Sequence, residues 1–86
     1  MTENQTPYDS AGKILFVDDV VMIKRVPTEL LRDLPDEDQQ AISRCLGQCL
    51  PISGFDRFGN AEIDFVDQEG NPHTFWIHTG CLLKPA

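Results

Sequence analysis

The sequence predicts a mainly β domain with a helical insertion, folded as a small β-barrel of about five strands. Three observations predict it. From Cys49 to Leu83 the chain reads as three short strands joined by two glycine turns, a meander. A β-branched run, Val20 to Val26, supplies one more strand far upstream. Between these two regions, over residues 28–46, the apolar spacing becomes helical.

Taken in order, residues 1–12 are polar, with Pro7 and Gly12 and no periodicity, and read as a flexible tail ahead of a single domain at 13–86. Tyr8 is the tail's large apolar side chain and either packs down or is solvated. Lys13 to Val26 carries the first strand signal: Ile14-Leu15-Phe16-Val17 is a short apolar run, and Asp18-Asp19 interrupts it at a turn. In the strand that follows, alternation places Val21 and Ile23 on one face and Val20 and Met22 on the other. Both faces are apolar, which predicts a strand covered on both sides.

Pro27 opens a helical turn carrying Leu30, Leu31 and Leu34, and Pro35 closes it. A second helix starts at Asp36-Glu37-Asp38, where the helix macrodipole favours acids. Its apolar stripe is Ala41, Ile42, Cys45 and Leu46, and Gly47 is a natural stop. The acidic first turn reads as a solvated helix start, because three consecutive acids point in different directions.

The meander strands are Leu50–Phe55, Ala61–Val66 and His73–His78. Asp56-Arg57-Phe58-Gly59-Asn60 closes the first, and Asp67-Gln68-Glu69-Gly70-Asn71-Pro72 closes the second. Alternation assigns Ile63, Phe65, Phe75 and Ile77 to the interior. It leaves Glu62 and Asp64 together on the solvated outer face. Thr79 to Leu83 reads as a tight turn into a short closing strand.

Val17-Asp18-Asp19-Val20-Val21-Met22-Ile23 resembles the opening strand of SH3-like barrels, where a Gly-Asp-x-Val element is common. Asp19 and Val21 match that element, and Asp18 stands where glycine is usual. The stretch 59–65 followed by 73–77 is similar to the central meander of such barrels. The chain as a whole resembles small uncharacterised bacterial proteins with a Leu-Pro-x-x-Asp helix after the first strand, here Leu34-Pro35-Asp36-Glu37-Asp38. The resemblance implies an SH3-like fold over about residues 14–84. It implies no catalytic residue, and a fold alone does not license a function.

Composition narrows the function classes. The net charge is −7, and Lys24-Arg25 is the one adjacent basic pair, so nucleic acid is not an expected partner. No apolar run approaches the roughly 20 residues of a membrane span. The N-terminus lacks the basic and apolar regions of an export signal, so the expected location is the cytoplasm. Three cysteines cannot all pair within one chain, and Cys45, Cys49 and Cys81 read as reduced thiols.

Cys45 and Cys49, with Cys81 and His73 or His78, are the candidates for a zinc site. Gly47 separates the first two, and the two histidines fall on opposite strand faces, so neither a metal nor a cofactor is expected. Nor does the sequence offer a nucleophile, a base and an orienting group together, and an enzyme is not expected. Two aromatic residues remain as candidate contacts. Trp76 alternates away from Phe75 and Ile77, and either faces a ligand or packs beneath the helical insertion. Phe58 sits at a turn tip, with little core to reach. The expected function is a non-enzymatic protein-interaction module or small adaptor, with a protein partner or a second copy. The alternatives are an immunity- or antitoxin-type inhibitor of a basic toxin, and a thiol- or zinc-dependent regulator.

Overall fold

Asp56 and Asp67 head the two meander turns in the same way. Asp56 Oδ1 accepts the backbone N–H groups of Phe58 and Asn60, each at 2.9 Å. Asp67 Oδ1 accepts those of Glu69 and Asn71, again at 2.9 Å. Both turns share the pattern Asp-x-x-Gly-Asn, and their glycines, Gly59 and Gly70, adopt φ of 83° and 86°. The aspartate organises the loop and the glycine supplies the left-handed residue, so each turn is written locally. In this computed structural model, which describes residues 7–85, the turns fold the C-terminal half into three antiparallel strands.

Those strands are β2 (Cys49–Phe55), β3 (Ala61–Val66) and β4 (Pro72–Ile77). Upstream lie β1 (Val20–Ile23), α1 (Thr28–Leu31) and α2 (Asp36–Ser43). A 3-10 turn at Thr79–Cys81 leads into β5 (Leu82–Leu83). The five strands form one antiparallel sheet in the order β4-β3-β2-β1-β5. The two helices form the insertion between β1 and β2, close to the expected bounds of 28–46.

β2 changes partner along its length. Its first half pairs with β1, as in Val20↔Pro51 and Met22↔Cys49. Its second half pairs with β3, as in Ile52↔Ile63 and Phe55↔Ala61. The register shifts between Ile52 and Gly54, which leaves Ser53 as an extra residue. Such a bulge bends a strand and increases its twist, so β2 turns a corner there.

The core gathers Val21 and Ile23 of β1, Ile42 of α2, Ile52 of β2, Ile63 of β3, and Phe75 and Ile77 of β4. Ala61 of β3 joins them, and Leu15, Cys45, Cys81 and Leu82 complete the cluster from turns and β5. α1 buries no residue fully, and its Leu30 and Leu31 pack against the core edge. The expected interior positions Ile63, Phe75 and Ile77 are buried, and Phe65 is half-buried.

Four local expectations change. β1 is fully covered on one face only: Val21 and Ile23 are buried, while on the other face Val20 is 49% exposed and Met22 half-buried. Leu46 leaves the α2 stripe and is 55% exposed, because α2 ends at Ser43 and the following turn rotates it outward. The run at 14–17 forms no strand; Ile14 makes a single bridge to Tyr8, and Leu15 alone is buried. The segment expected as a flexible tail is, over its described residues 7–12, a closed hook. Leu15 N donates to Pro7 O at 2.9 Å and Ser10 N to Leu82 O at 2.8 Å, while Asp9 is buried. Residues 1–6 of that expected tail lie outside the described residues.

Candidate functional site

The alternation that buries Phe75 and Ile77 turns Trp76 outward, and it is 50% exposed rather than enclosed beneath the insertion. Directly opposite on β3 stands Glu62, and next to Glu62 on β2 stands Gly54. The Glu62 carboxylate leans over that glycine: a Cβ built on Gly54 would lie 3.4 Å from Glu62 Oε1. One row along the same face, Asp64 accepts a hydrogen bond from the Thr74 hydroxyl. The Thr74 hydroxyl and then the Ser53 side chain hold the Asp64 carboxyl below the usual carboxylate range.

Phe58 stands at the β2–β3 turn and is 73% exposed. The Arg57 guanidinium lies over its ring, 5.6 Å from the centroid. The turn leads into Ala61, whose partner across β3–β4 is Ile77, the residue after Trp76. Both candidate contact residues therefore sit at one end of the three-stranded meander, on different hairpins. Glu62 was legible beside them from strand alternation alone.

A second polar arrangement ties the insertion to the hairpin. His73 Nε2 donates to Asp67 Oδ2 at 2.8 Å, and Nδ1 lies 3.0 Å from Asp38 Oδ1. Asp38 comes from the first turn of α2 and Asp67 from the β3–β4 turn. The imidazole stacks on Phe65 with ring centroids 5.1 Å apart. The Asp67 hydrogen bond, with both nearby carboxylate charges, holds the His73 pKa above its ordinary value despite burial. In return the His73 contact, together with the Asn71 and Glu69 N–H groups, pulls the Asp67 carboxyl down to about 2. With both ring nitrogens engaged, His73 holds elements together and presents no free base. Spacing across the turn hinted at the Asp67–His73 pair, but Asp38 carried no local signal.

The cysteines are not assembled. Cys45 and Cys81 are buried at separate places, and Cys49 is exposed on β2. Cys45 Sγ donates to Ala41 O at 3.7 Å, and burial pushes its thiol pKa up. Cys81 Sγ accepts from Arg25 Nη2 at 3.6 Å. Among the described residues, no group of three His, Cys, Asp or Glu side chains is placed to hold a metal ion. Among them too, no helix is long and apolar enough to cross a membrane. Comparison with known protein families, curated proteins and solved structures finds no match to the chain.

Proposed function

We propose that the chain is a non-enzymatic protein-interaction module, a small cytoplasmic adaptor, that binds through Trp76 on the outer face of β4 and Phe58 at the β2–β3 turn. One observation carries this reading. The chain's single tryptophan is half exposed on a regular strand, and a turn-tip phenylalanine at the same end of the meander is more exposed still. Large aromatics are mostly buried in folded domains, and they are enriched where proteins meet. The SH3-like barrel is proposed as the frame. The return of β5 onto β1, the partner change along β2 and its bulge all favour a curled sheet.

The test is affinity capture from the native host with the wild-type chain and Trp76→Ala. A variant that stays folded and loses partners supports the reading. A folded variant that keeps every partner overturns it.

The net charge of −7 favours one second reading, an immunity- or antitoxin-type inhibitor that caps a basic toxin. A toxin held chiefly by charge would dissociate steeply as salt rises. An adaptor held chiefly by aromatic burial would not.

A further inference from the structure

We infer that loss of the proton from His73 Nδ1 releases Asp38 and lets the first half of α2 lift from β4, which makes the helical insertion a proton-latched flap.

The His73 ring is fixed on one side and free to let go on the other. It stacks on its cross-strand partner Phe65, with ring centroids 5.1 Å apart. Its Nε2 meets Asp67 Oδ2 at 2.8 Å. Asp67 is itself pinned, because its other oxygen accepts the Glu69 and Asn71 N–H groups at 2.9 Å. Nδ1 meets Asp38 Oδ1 at 3.0 Å. The Asp38 side chain is 37% exposed, against 16% for Asp67, and has no second ion-pair partner among the described residues. Two carboxylates require an N–H on each ring nitrogen, and a neutral imidazole has one. The pinned Asp67 keeps it. Nδ1 then turns a lone pair towards Asp38 Oδ1, and two acceptors face each other at hydrogen-bond distance. Phe65 and Asp67 hold the ring, so Asp38 moves.

α2 moves with it because little else holds its start. Its buried residues, Ala41 and Ile42, lie in its second half, and Pro35 at its N-cap offers no side-chain hydrogen bond. α1 buries no residue fully, and Leu30, Leu31 and Leu34 are half-buried at the core edge. Segments with so few buried contacts open locally before the core does.

The charges around His73 act in the same direction. In the groove between α2 and the β3–β4 turn, Glu37 and Asp38 face Asp67 and Glu69, and Arg44 is the one cation besides His73. On the α1 side, the cleft beside His73 is lined by Leu34 and Ile42 and adds no charge beyond Asp38. β4 carries no other charged side chain, and Glu62 and Asp64 of β3 project from the opposite face of the sheet. Removing the His73 proton therefore leaves the carboxylates of two elements opposed, with Arg44 alone to offset them. The Asp67 hydrogen bond and both carboxylate charges hold the His73 pKa above 6.5, so the flap is latched below pH 6.5 and loosens as pH rises through the folded value.

The test is amide exchange on the full chain between about pH 6 and about pH 9, corrected for the intrinsic rate at each pH. Protection over residues 28–43 should fall about tenfold across that range, the worth of one charge-assisted hydrogen bond. About 1 M urea should leave exchange there unchanged, because a local opening exposes little surface, whereas the slowest β3 amides should respond to it. Asp38→Asn should make protection of the insertion independent of pH, since its amide accepts from the imidazolium and donates to neutral Nδ1. His73 itself should still titrate in that variant. Its nitrogen chemical shifts should show the Nε2–H tautomer at the alkaline end.

An Nδ1–H tautomer at high pH overturns the inference, since Asp67 and not Asp38 would then be released. Insertion protection that stays level with pH in the wild type means that the Asp38 carboxylate swings away alone, and the flap falls. Insertion amides as sensitive to urea as those of β3 would place the opening in global unfolding. An Asp38→Asn protein that keeps the wild-type pH dependence removes Asp38 from the latch.

Discussion

The Asp9 carboxylate accepts the backbone N–H of Lys84 at 2.7 Å, joining the start of the described chain to its end. Its other oxygen accepts from Ala11 and Lys13 at 2.9 and 2.8 Å. Asp9 is only 5% exposed. Burial acts to raise its pKa, but the Lys84, Lys13 and Ala11 N–H groups outweigh it and hold the carboxyl below the usual range. Asp9→Ala leaves three donors without their acceptor and is expected to cost about 2 kcal/mol. Asp9→Asn keeps one good acceptor and should cost less. Urea denaturation at neutral pH ranks the three proteins, and an Asp9→Ala midpoint equal to wild type would falsify the clasp.

The His73 clamp gives stability a defined pH dependence. Two carboxylates at 2.8 and 3.0 Å need both ring N–H groups, so the clamp is complete only as imidazolium. The folded pKa lies above the ordinary 6.5. Its contribution is therefore full below pH 6.5 and is lost as pH rises through the folded value. Asp67 runs the other way, contributing above 3.8 and losing its effect as pH falls towards about 2. Glu37, Glu69 and Arg44 line the adjoining groove. His73→Asn should be clearly less stable than wild type near pH 6, and the gap should narrow towards pH 9. A gap constant across that range would show that His73 acts through packing on Phe65 and not through charge.

These two contacts mark how far local pattern reaches. The Asp-x-x-Gly-Asn turns and the alternation of Ile63, Phe75 and Ile77 are local, and the meander was legible from them. The outward parity of Trp76 and Glu62 came with the same alternation. Asp38 meeting His73, or Asp9 meeting Lys84, depends on where separate elements dock, which no spacing encodes. Leu46 and Val20 each continue an apolar stripe in the sequence, which points them inward. One turn at the end of α2 and one uncovered sheet face were enough to expose them.

Asp18 shows a local rule under tension. It has φ of 77°, the left-handed region, while its N–H donates to Ile52 O at 2.8 Å. Aspartate tolerates this conformation better than most residues, and glycine tolerates it without cost. Asp18→Gly is expected to raise stability by about 0.5 kcal/mol, and Asp18→Val to lower it by about 2 kcal/mol. Asp18→Asn, which keeps the shape and removes the charge, separates backbone strain from repulsion with Asp19. If Asn reproduces the whole gain of Gly on thermal denaturation, charge is the cause and strain is not.

The three thiols should separate by burial into one reactive group and two silent ones. Cys49 is exposed on β2, where a chromogenic aromatic disulfide can reach its sulfur. Cys45 lies in the core with its thiol pKa pushed up by burial, so thiolate is scarce there. Cys81 is equally enclosed and receives the Arg25 guanidinium from outside. Reaction at either buried thiol must wait for local opening, at a rate set by the opening equilibrium. The native protein should release one equivalent of chromophore quickly and the rest slowly, with all three released at once in denaturant. Cys49→Ser should remove the fast phase while leaving the urea midpoint within about 0.5 kcal/mol of wild type. Asp9→Ala, by loosening the clasp beside β5, should speed the slow phase at Cys81 more than at Cys45. Fast release of a second equivalent from the native chain would mean that the α2 or β5 side of the core is open.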